Sequence, residues 1–550
     1  PSPFVRYLLF VATPICGLLW VFAREYREIL GPGVHLFSLL FPALVAPLIG
    51  YAVGAAKENI PLLHKPVIGR VIGGLVMVAC LASSWAVGSR RQQLVDTFAA
   101  VEGGITTSLG LATTETLFPD AVDPSAPERK ALTIKLGPRF SDRLSGEQQR
   151  HYNVVWVIID AIRADHVQSL GYDKATMPNF DKLASESLLF SRAYSQSSAT
   201  VLSFPSMFTG SYPATLHWEM SNKRIQPVAS SVTVAERFKK AGYTTGLILS
   251  EHTKKYFVGI QQGYDEVITL KLAKNTKQLW KERRSPIALS KAIEYIAEKA
   301  PGAKARSPFF LTVYFPDPHS PYKRHADVDS SNFATGPIGN YDTELAFSDR
   351  YLGQLITHLK DRPKVWDDTI FVVVADHGEE FGEHGGTRHA RSCHIESVHV
   401  PLLIRIPGIA PKKLDAPVAL IDVLPTLIEC TGIARDGGML HGHSLLIPAL
   451  TDHAELDRPI FCSVVSQKGR IKFFRRSVRQ KHFALLNNVG TGRETLFDMA
   501  QDPEEKTNLA ASRQHADELK RLRALLRATR TGNLNHHKSY GKGGQSKTSP

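Results

Sequence analysis

Two continuous apolar runs, residues 153–159 and 369–375, dominate the hydrophobic pattern of the chain. Both are rich in β-branched and aromatic residues and lack the polar alternation of a half-exposed strand, so they predict strands buried on both faces of a parallel sheet. Each run stops at a carboxylate, Asp160 in the first and Asp376 in the second. Because chemistry in open α/β sheets collects beyond the carboxyl ends of the strands, these two positions are the first candidates for a site.

Asp376 is followed directly by His377. A carboxylate beside an imidazole is a natural half-site for a divalent metal ion. An Asp-His turn that caps the next helix is the structural alternative for this pair taken alone. Asp160, at the end of the other apolar run, supplies a third potential ligand.

Residues 197–213 form a hydroxyl-rich loop that leads into a short helix, with Thr200 near the helix start. Backbone donors and partial positive charge at a helix N-terminus favour an anionic ester there. A plain N-cap is the alternative role for Thr200. Asp160, Thr200, Asp376 and His377 together predict three metal ligands and one alcohol that a cation activates as a nucleophile.

Seven stretches resemble, in order, the sulfatase branch of the alkaline phosphatase superfamily. They occupy residues 158–166, 208–213, 308–322, 375–385, 400–408, 421–426 and 496–510. The resemblance implies an α/β fold, with a mixed sheet flanked by helices and a small C-terminal subdomain. Residues 459–498 would supply the strands of that subdomain.

The nucleophile segment departs from the sulfatases, which oxidise a Cys or Ser to formylglycine. Counted back from Thr209-Gly210, the family's nucleophile position falls on Thr200, which cannot give that aldehyde, and no Arg follows at the motif position. The segment is similar to that of membrane phosphoethanolamine transferases, whose catalytic Thr lies five residues before a Pro, as Thr200 precedes Pro205. The lipoteichoic acid synthase group also uses an unmodified Thr. A sulfatase that uses Ser203 is the enzymatic alternative.

The resemblance also assigns two histidines. His319 matches the family's substrate-contacting His, and His389 lies twelve residues beyond His377, where the phosphoethanolamine transferases place a second one. Imidazoles can protonate a leaving alkoxide or deprotonate an acceptor alcohol. These residues imply a two-step displacement through a covalent Thr200 ester, with one divalent cation. Zinc or manganese suits the ligand set best, with magnesium and calcium as alternatives.

The first 90 residues predict a membrane anchor. Residues 7–23, 36–56 and 71–88 are apolar segments of about the length that spans a bilayer. The chain begins at Pro1 rather than Met, so three spans are a minimum expectation. We expect a multi-pass protein of the inner cell membrane with an extracytoplasmic catalytic domain at residues 151–510. A connector at 91–150 precedes that domain, and a basic helix with a disordered tail follows at 511–550.

The net charge of +14 suits attraction to anionic phospholipid or glycolipid head groups. Nucleic-acid binding is not expected, because no binding motif accompanies the charge. The leading hypothesis is therefore a membrane-anchored enzyme that transfers or hydrolyses a phospho-substituent of a lipid or glycolipid. The alternatives are a sulfuric ester hydrolase and a non-catalytic lipid-binding regulatory protein.

Overall fold

The computed structural model describes residues 152–528, apart from 217, 222–223, 228–229, 255–258, 271–283, 301–306, 435–439, 451–456 and 468–470. The predicted membrane segments and connector lie outside the described residues, as does the predicted C-terminal tail. Within the described part of the chain, the helices are too short or too polar to cross a bilayer.

The first and eighth of the described strands coincide with the two apolar runs predicted above. The described strands are β1 (Asn153–Ile159), β2 (Leu188–Tyr194), β3 (Trp218–Ser221), β4 (Arg224–Pro227), β5 (Thr244–Ser250), β6 (Glu266–Leu270), β7 (Phe309–Phe315), β8 (Thr369–Ala375), β9 (Glu380–Phe381), β10 (Thr387–Arg388), β11 (His399–Arg405), β12 (Lys412–Leu414), β13 (Val418–Ala419), β14 (Ile460–Gln467), β15 (Ile471–Gln480), β16 (Phe483–Asn488) and β17 (Arg493–Asp498).

The α-helices of the described residues alternate with these strands along most of the chain. They are α1 (Pro178–Ala184), α2 (Thr200–Thr209), α3 (Val234–Lys240), α4 (Glu251–Lys254), α5 (Ser285–Lys299), α6 (Gly336–Lys360), α7 (Pro363–Asp367), α8 (Ile395–Val398), α9 (Val423–Thr431), α10 (Leu446–Leu450) and α11 (Ala516–Ala528).

A nine-stranded mixed sheet forms the centre of the fold, in the order β12-β2-β11-β8-β1-β7-β5-β6, with β13 paired to β2. Strand β1 lies between β7 and β8 and is parallel to both, whereas β11 is antiparallel to β8. Every residue of β1, β7 and β8 is buried, which explains their unbroken apolar sequences. The predicted mixed α/β sheet is confirmed.

The predicted small C-terminal subdomain is also confirmed. Strands β14 to β17 form a four-stranded antiparallel sheet within the predicted residues 459–498. Helix α11 carries basic residues but buries Leu519, Leu522 and Leu526, which share one helix face and join the apolar cluster of this sheet. This basic helix therefore packs against the sheet through its apolar face and is part of the subdomain.

Candidate metal centre and active site

The site begins with the register of three neighbouring parallel strands. Ile159 of β1 lies opposite Phe315 of β7 and Ala375 of β8, the last residue of each strand. The chain therefore leaves all three strands at the same level of the sheet edge, and the backbone N–H of Asp160 donates to the carbonyl of Phe315 over 2.9 Å. This register brings Asp160 and Asp376 together. The backbone N–H of Ala161, the residue after Asp160, donates to Oδ1 of Asp376, which lies 215 positions away in the sequence.

Three ligand atoms converge at this edge. The Nε2 of His377 lies 3.6 Å from Oδ1 of Asp160 and 3.4 Å from Oδ2 of Asp376. Both oxygens are buried and have no hydrogen-bond partner. Two buried, unpartnered carboxylate oxygens facing an imidazole nitrogen cost free energy unless a cation compensates them. Burial and the neighbouring Asp376 raise the pKa of Asp160 well above its usual value. The donor set therefore fits one divalent metal ion.

The remaining atoms of these ligands are held by hydrogen bonds. Oδ1 of Asp376 accepts from the backbone N–H groups of Ala161 and His377, over 3.2 and 3.0 Å, and Oδ2 of Asp160 accepts from the Tyr314 hydroxyl. The Nδ1 of His377 donates to the Gly378 carbonyl over 2.9 Å, which leaves Nε2 with its lone pair toward the carboxylates. Each ligand is thereby oriented by a second contact.

Thr200 is the first residue of α2, and Ala199 is its N-cap. The alternative of Thr200 as a plain N-cap is therefore wrong. The Thr200 hydroxyl instead lies 3.0 Å from Nε2 of His377, beside the ligand atoms. The helix start is fixed there because the hydroxyls of Ser195 and Ser203 both donate to the Asp376 carbonyl, over 2.5 and 2.7 Å.

Ser203, the nucleophile of the sulfatase alternative, is engaged in hydrogen bonds to the backbone and to a second serine. Its side chain is buried, donates to the Asp376 carbonyl and lies 3.1 Å from the Ser195 hydroxyl. A hydroxyl with this anchoring role is poorly placed to attack an ester at the cluster. Of the two hydroxyls, that of Thr200 is the one that lies beside Nε2 of His377.

His319 and His389 lie next to each other, and the ring of His389 lies beside that of His377. The His389 ring centroid lies 4.4 Å from that of His377 and 4.7 Å from that of His319. The Nδ1 of His319 lies 2.6 Å from the Ser320 carbonyl, which leaves Nε2 unprotonated in the neutral ring. Burial lowers the pKa of both imidazoles, and the neighbouring His377 and His319 lower that of His389 further. All six predicted site residues thus lie within one cluster.

Sequence reasoning missed two members of this cluster. Glu379 is fully buried, its carboxylate lies 3.0 Å from Nδ1 of His389, and burial raises its pKa to about 7. It lies two residues beyond His377 in the sequence, and this proximity to the predicted ligands was the signal that could have found it. Tyr314 was hidden in an apolar run; it lies opposite Ile158 of β1, and its hydroxyl donates to Oδ2 of Asp160.

Position 378, between His377 and Glu379, requires a glycine because the chain passes very close to the backbone of Glu396 there. A Cβ at this position would lie 2.0 Å from the backbone oxygen of Glu396. The close approach lets the Gly378 N–H donate to the Ser397 carbonyl over 2.9 Å, and the Glu379 N–H donates to the Glu396 carbonyl over 3.0 Å. These bonds hold the chain just after the ligands against the segment that carries α8.

Comparison with known proteins identifies relatives of this arrangement. The chain is 25% identical over 399 residues to an ulvan-active sulfatase of Formosa agariphila, a match that covers 65% of this chain and 76% of that protein. It is 23% identical over 431 residues to a choline-sulfatase of Rhizobium meliloti, covering 65% and 82%.

Solved structures share the fold at lower identity. A putative sulfatase from Bacteroides thetaiotaomicron superposes with a TM-score of 0.58 at 20% identity, covering 70% of this chain and 93% of that one. The phosphonate monoester hydrolase of Agrobacterium radiobacter gives a TM-score of 0.54 at 20% identity, covering 70% and 96%.

Two family models match the chain. The C-terminal model of N-sulphoglucosamine sulphohydrolase matches residues 382–532, which include the four-stranded sheet and α11. The model of the sulfatases, which are metal-dependent enzymes, matches residues 152–433, just over half of the chain and all six candidate site residues. The chain therefore belongs to the sulfatase family, within the alkaline phosphatase superfamily.

Proposed function

We propose that this protein is a metal-dependent hydrolase of sulfuric or closely related anionic esters, with the Thr200 hydroxyl as the attacking group. The observation that carries the proposal is the 3.0 Å contact between this hydroxyl and Nε2 of His377, within the group of metal-ligand atoms. The named relatives are sulfatases, so the comparisons favour hydrolysis over the phospho-group transfer that the sequence resemblance put first.

The cluster supplies each role of a two-step displacement. A divalent cation held by Asp160, Asp376 and His377 would lower the pKa of a nearby alcohol and neutralise charge on the ester's non-bridging oxygens. Thr200 Oγ1 bonds to the central sulfur or phosphorus, and the bond from that atom to the leaving oxygen breaks. The Thr200 proton reaches the leaving alkoxide through an imidazole of His319 or His389.

The second step returns the enzyme to its starting state. A water molecule gives a proton to the same imidazole, attacks the central atom and releases Thr200, which regains its proton. A Thr ester has no aldehyde hydrate to drive elimination, so attack on the central atom by water is the required route. A slow second step would let the covalent ester of Thr200 accumulate.

Transfer of a phospho-substituent to a lipid or glycan alcohol is the second candidate. It would use the same metal ligands and the same Thr200 nucleophile, with an acceptor hydroxyl in place of water. An unmodified Thr at the nucleophile position favours it. Three apolar segments in residues 7–88 support a location at the inner membrane with an extracytoplasmic site, where a phospholipid or glycolipid would be the substrate. A non-catalytic role is disfavoured because Asp160, Thr200, Asp376 and His377 are all present.

Peptide mass spectrometry tests the proposal. Metal-loaded full-length protein would be incubated with 4-nitrophenyl sulfate, bis(4-nitrophenyl) phosphate, or vesicles of phosphatidylethanolamine and phosphatidylglycerol. We expect nitrophenol release together with a sulfo or phospho adduct on the Thr200 peptide, and Thr200→Ala should lose both. Thr200→Ser is the matched variant, because it keeps the hydroxyl and should keep the adduct.

The other outcomes separate the candidates. An adduct that appears only with vesicles and passes to a second lipid would favour transfer. An aldehyde on the Ser203 peptide would reject Thr200 as the nucleophile. Protein that binds no metal and carries no adduct with any of the three donors would favour the non-catalytic role.

A further inference from the structure

We propose that Glu379 is a positioning residue that holds the imidazole of His389 in one orientation and one tautomer toward the Thr200 ester. The inference rests on the proposed function, because it gives His389 a proton-transfer role in that reaction. It adds to the metal ligands and nucleophile a further residue that acts through His389 rather than on the substrate.

The contact itself is specific. Both carboxylate oxygens of Glu379 face Nδ1 of His389, Oε1 at 3.0 Å and Oε2 at 3.2 Å. The Glu379 side chain is fully buried and that of His389 is 13% exposed, so little water competes for this bond. An imidazole that donates from Nδ1 keeps its Nε2 lone pair free, which is the atom that can exchange a proton with the reacting groups.

Glu379 is itself held rigidly. Its backbone N–H donates to the Glu396 carbonyl, and its own carbonyl accepts from the Arg163 guanidinium over 3.3 Å. The Tyr322 hydroxyl lies beside its carboxylate. A buried glutamate whose backbone is held on both sides can define the ring plane of a histidine, which a mobile surface carboxylate cannot.

The loop that carries His389 is tied to the nucleophile segment. The residues on either side, Arg388 and Ala390, adopt left-handed backbone conformations with φ of 69° and 62°, which L-residues adopt at a cost. The Ala390 N–H donates to the Ser198 carbonyl over 2.7 Å, and the Ser198 hydroxyl donates to the Ser392 carbonyl over 2.6 Å. Ser198 stands two residues before the nucleophile, so backbone contacts fix the His389 Cα and Glu379 fixes the ring.

A purely structural role is the competing explanation for a buried glutamate. Glu380 offers a matched control because it is the next residue, is equally buried, and accepts from the hydroxyls of Ser392 and Ser397 instead of from a histidine. If burial and loop stability were the whole role of Glu379, neutralising either glutamate would have the same kind of effect on turnover.

The first test uses a series of aryl esters with different leaving groups on the metal-loaded full-length enzyme. Proton donation matters most for a poor leaving group, so Glu379→Gln should lower kcat/KM for the phenyl ester about 10-fold or more and for the 4-nitrophenyl ester much less. Glu380→Gln should change both esters by the same factor. The double variant Glu379→Gln with His389→Ala should be no slower than His389→Ala alone.

Two results of this series would overturn the inference. One is an equal loss for both leaving groups in Glu379→Gln. The other is a double variant whose losses multiply, because Glu379 would then act independently of His389. Glu379→Asp, which keeps the charge on a shorter side chain, should restore part of the selectivity if positioning is the role.

The second test does not need turnover. Diethyl pyrocarbonate reacts with an unprotonated imidazole nitrogen, and peptide mass spectrometry reads the rate at His389. Loss of the carboxylate should slow this rate about threefold or more in Glu379→Gln and leave it unchanged in Glu380→Gln. An unchanged rate in Glu379→Gln would reject the contact as a control on the ring. Absence of Thr200-dependent turnover in the wild type would reject the proposed function instead.

Discussion

The two halves of the site are built by different means. The metal-ligand half, Asp160, Asp376 and His377, follows the ends of adjacent parallel strands whose register fixes its geometry. The imidazole half, His319 and His389, lies on loops and depends on side-chain bonds and left-handed residues for its placement.

This difference has a functional consequence. A ligand at the end of a buried strand cannot move without disturbing the sheet, which suits a group that must hold a cation in one geometry. A loop histidine is held by a few hydrogen bonds, so its position can change between relatives without cost to the core. We therefore expect the first half to determine whether chemistry occurs and the second to determine which leaving group or acceptor is served.

The largest expected effect comes from removing one ligand oxygen from the strand-end half. Asp376→Asn keeps Oδ1, which accepts from the N–H groups of Ala161 and His377, but replaces the buried, unpartnered oxygen with an amide. Bound metal should be lost, and turnover should fall by about 10³-fold or more. Metal content by inductively coupled plasma mass spectrometry and kcat would be measured together.

Asp349→Asn is the control for this change. Asp349 is also buried and also accepts from two backbone N–H groups, those of Asn179 and Phe180, but it lies outside the ligand cluster. It should lower stability and leave the metal content intact. Full metal occupancy in Asp376→Asn would show that this carboxylate is not a ligand.

The same contrast explains what the sequence could predict. The runs at 153–159 and 369–375 predict buried parallel strands. The carboxyl ends of parallel strands lie at the same edge of a sheet, so the metal-ligand half could be placed without homology. His319 and His389 came only from family spacing. Glu379 was missed because its partner is set by the loop path around Gly378 and the left-handed Ala390, which no period in the sequence encodes.

A smaller effect is expected in the imidazole half. His319→Ala removes a ring 4.7 Å from His389 but no atom of the metal cluster. Turnover should fall by about 10²-fold while metal content stays unchanged, because one proton-transfer group is lost and the cation remains. His399→Gln is the control, since His399 bonds to the Ser191 carbonyl at 2.8 Å, away from the cluster. Loss of metal in His319→Ala would show that metal binding also depends on the imidazole half.

The segment between β9 and α8, which carries His389, should also respond to pH through His384. The Nδ1 of this residue lies 2.9 Å from Oε1 of Glu396, and its Nε2 lies 2.9 Å from the Glu505 carbonyl. The hydrogen bond to Glu396 raises the pKa of His384 from 6.5 to about 9. The folded state binds this proton more tightly than the unfolded state, so the contribution to stability is complete below pH 6.5 and is lost as the pH rises to about 9.

Thermal unfolding of His384→Asn measures this contribution. The variant should have a Tm lower than the wild type by about 2–4 °C near pH 6 and a smaller difference near pH 10. The matched variant is His399→Gln, because burial lowers rather than raises the pKa of His399 and its effect should not shrink at high pH. A difference in Tm for His384→Asn that does not change between the two pH values would remove the ion pair as the cause.

The smallest effects should come from two left-handed residues that each follow a site residue, Ala161 in the metal-ligand half and Ala390 in the imidazole half. Ala161 has φ of 57° and follows Asp160, and Ala390 has φ of 62° and follows His389. Glycine relieves the strain but adds freedom to the unfolded chain, so Ala161→Gly and Ala390→Gly should each change stability by less than about 1 kcal/mol. The two variants should differ in turnover. Asp160 stays hydrogen-bonded to Tyr314 in Ala161→Gly, whereas the loop that carries His389 gains conformational freedom in Ala390→Gly.

We expect turnover of Ala161→Gly to match the wild type and that of Ala390→Gly to fall about threefold, with the larger loss on the poorer leaving group. The reason is that a ligand at a strand end has its backbone fixed by the sheet, while His389 has only its loop and Glu379. Equal turnover of the two variants would mean that Glu379 and the Ser198 contact hold His389 as firmly as the sheet holds Asp160. The two halves would then differ in how they are built but not in how rigid they are.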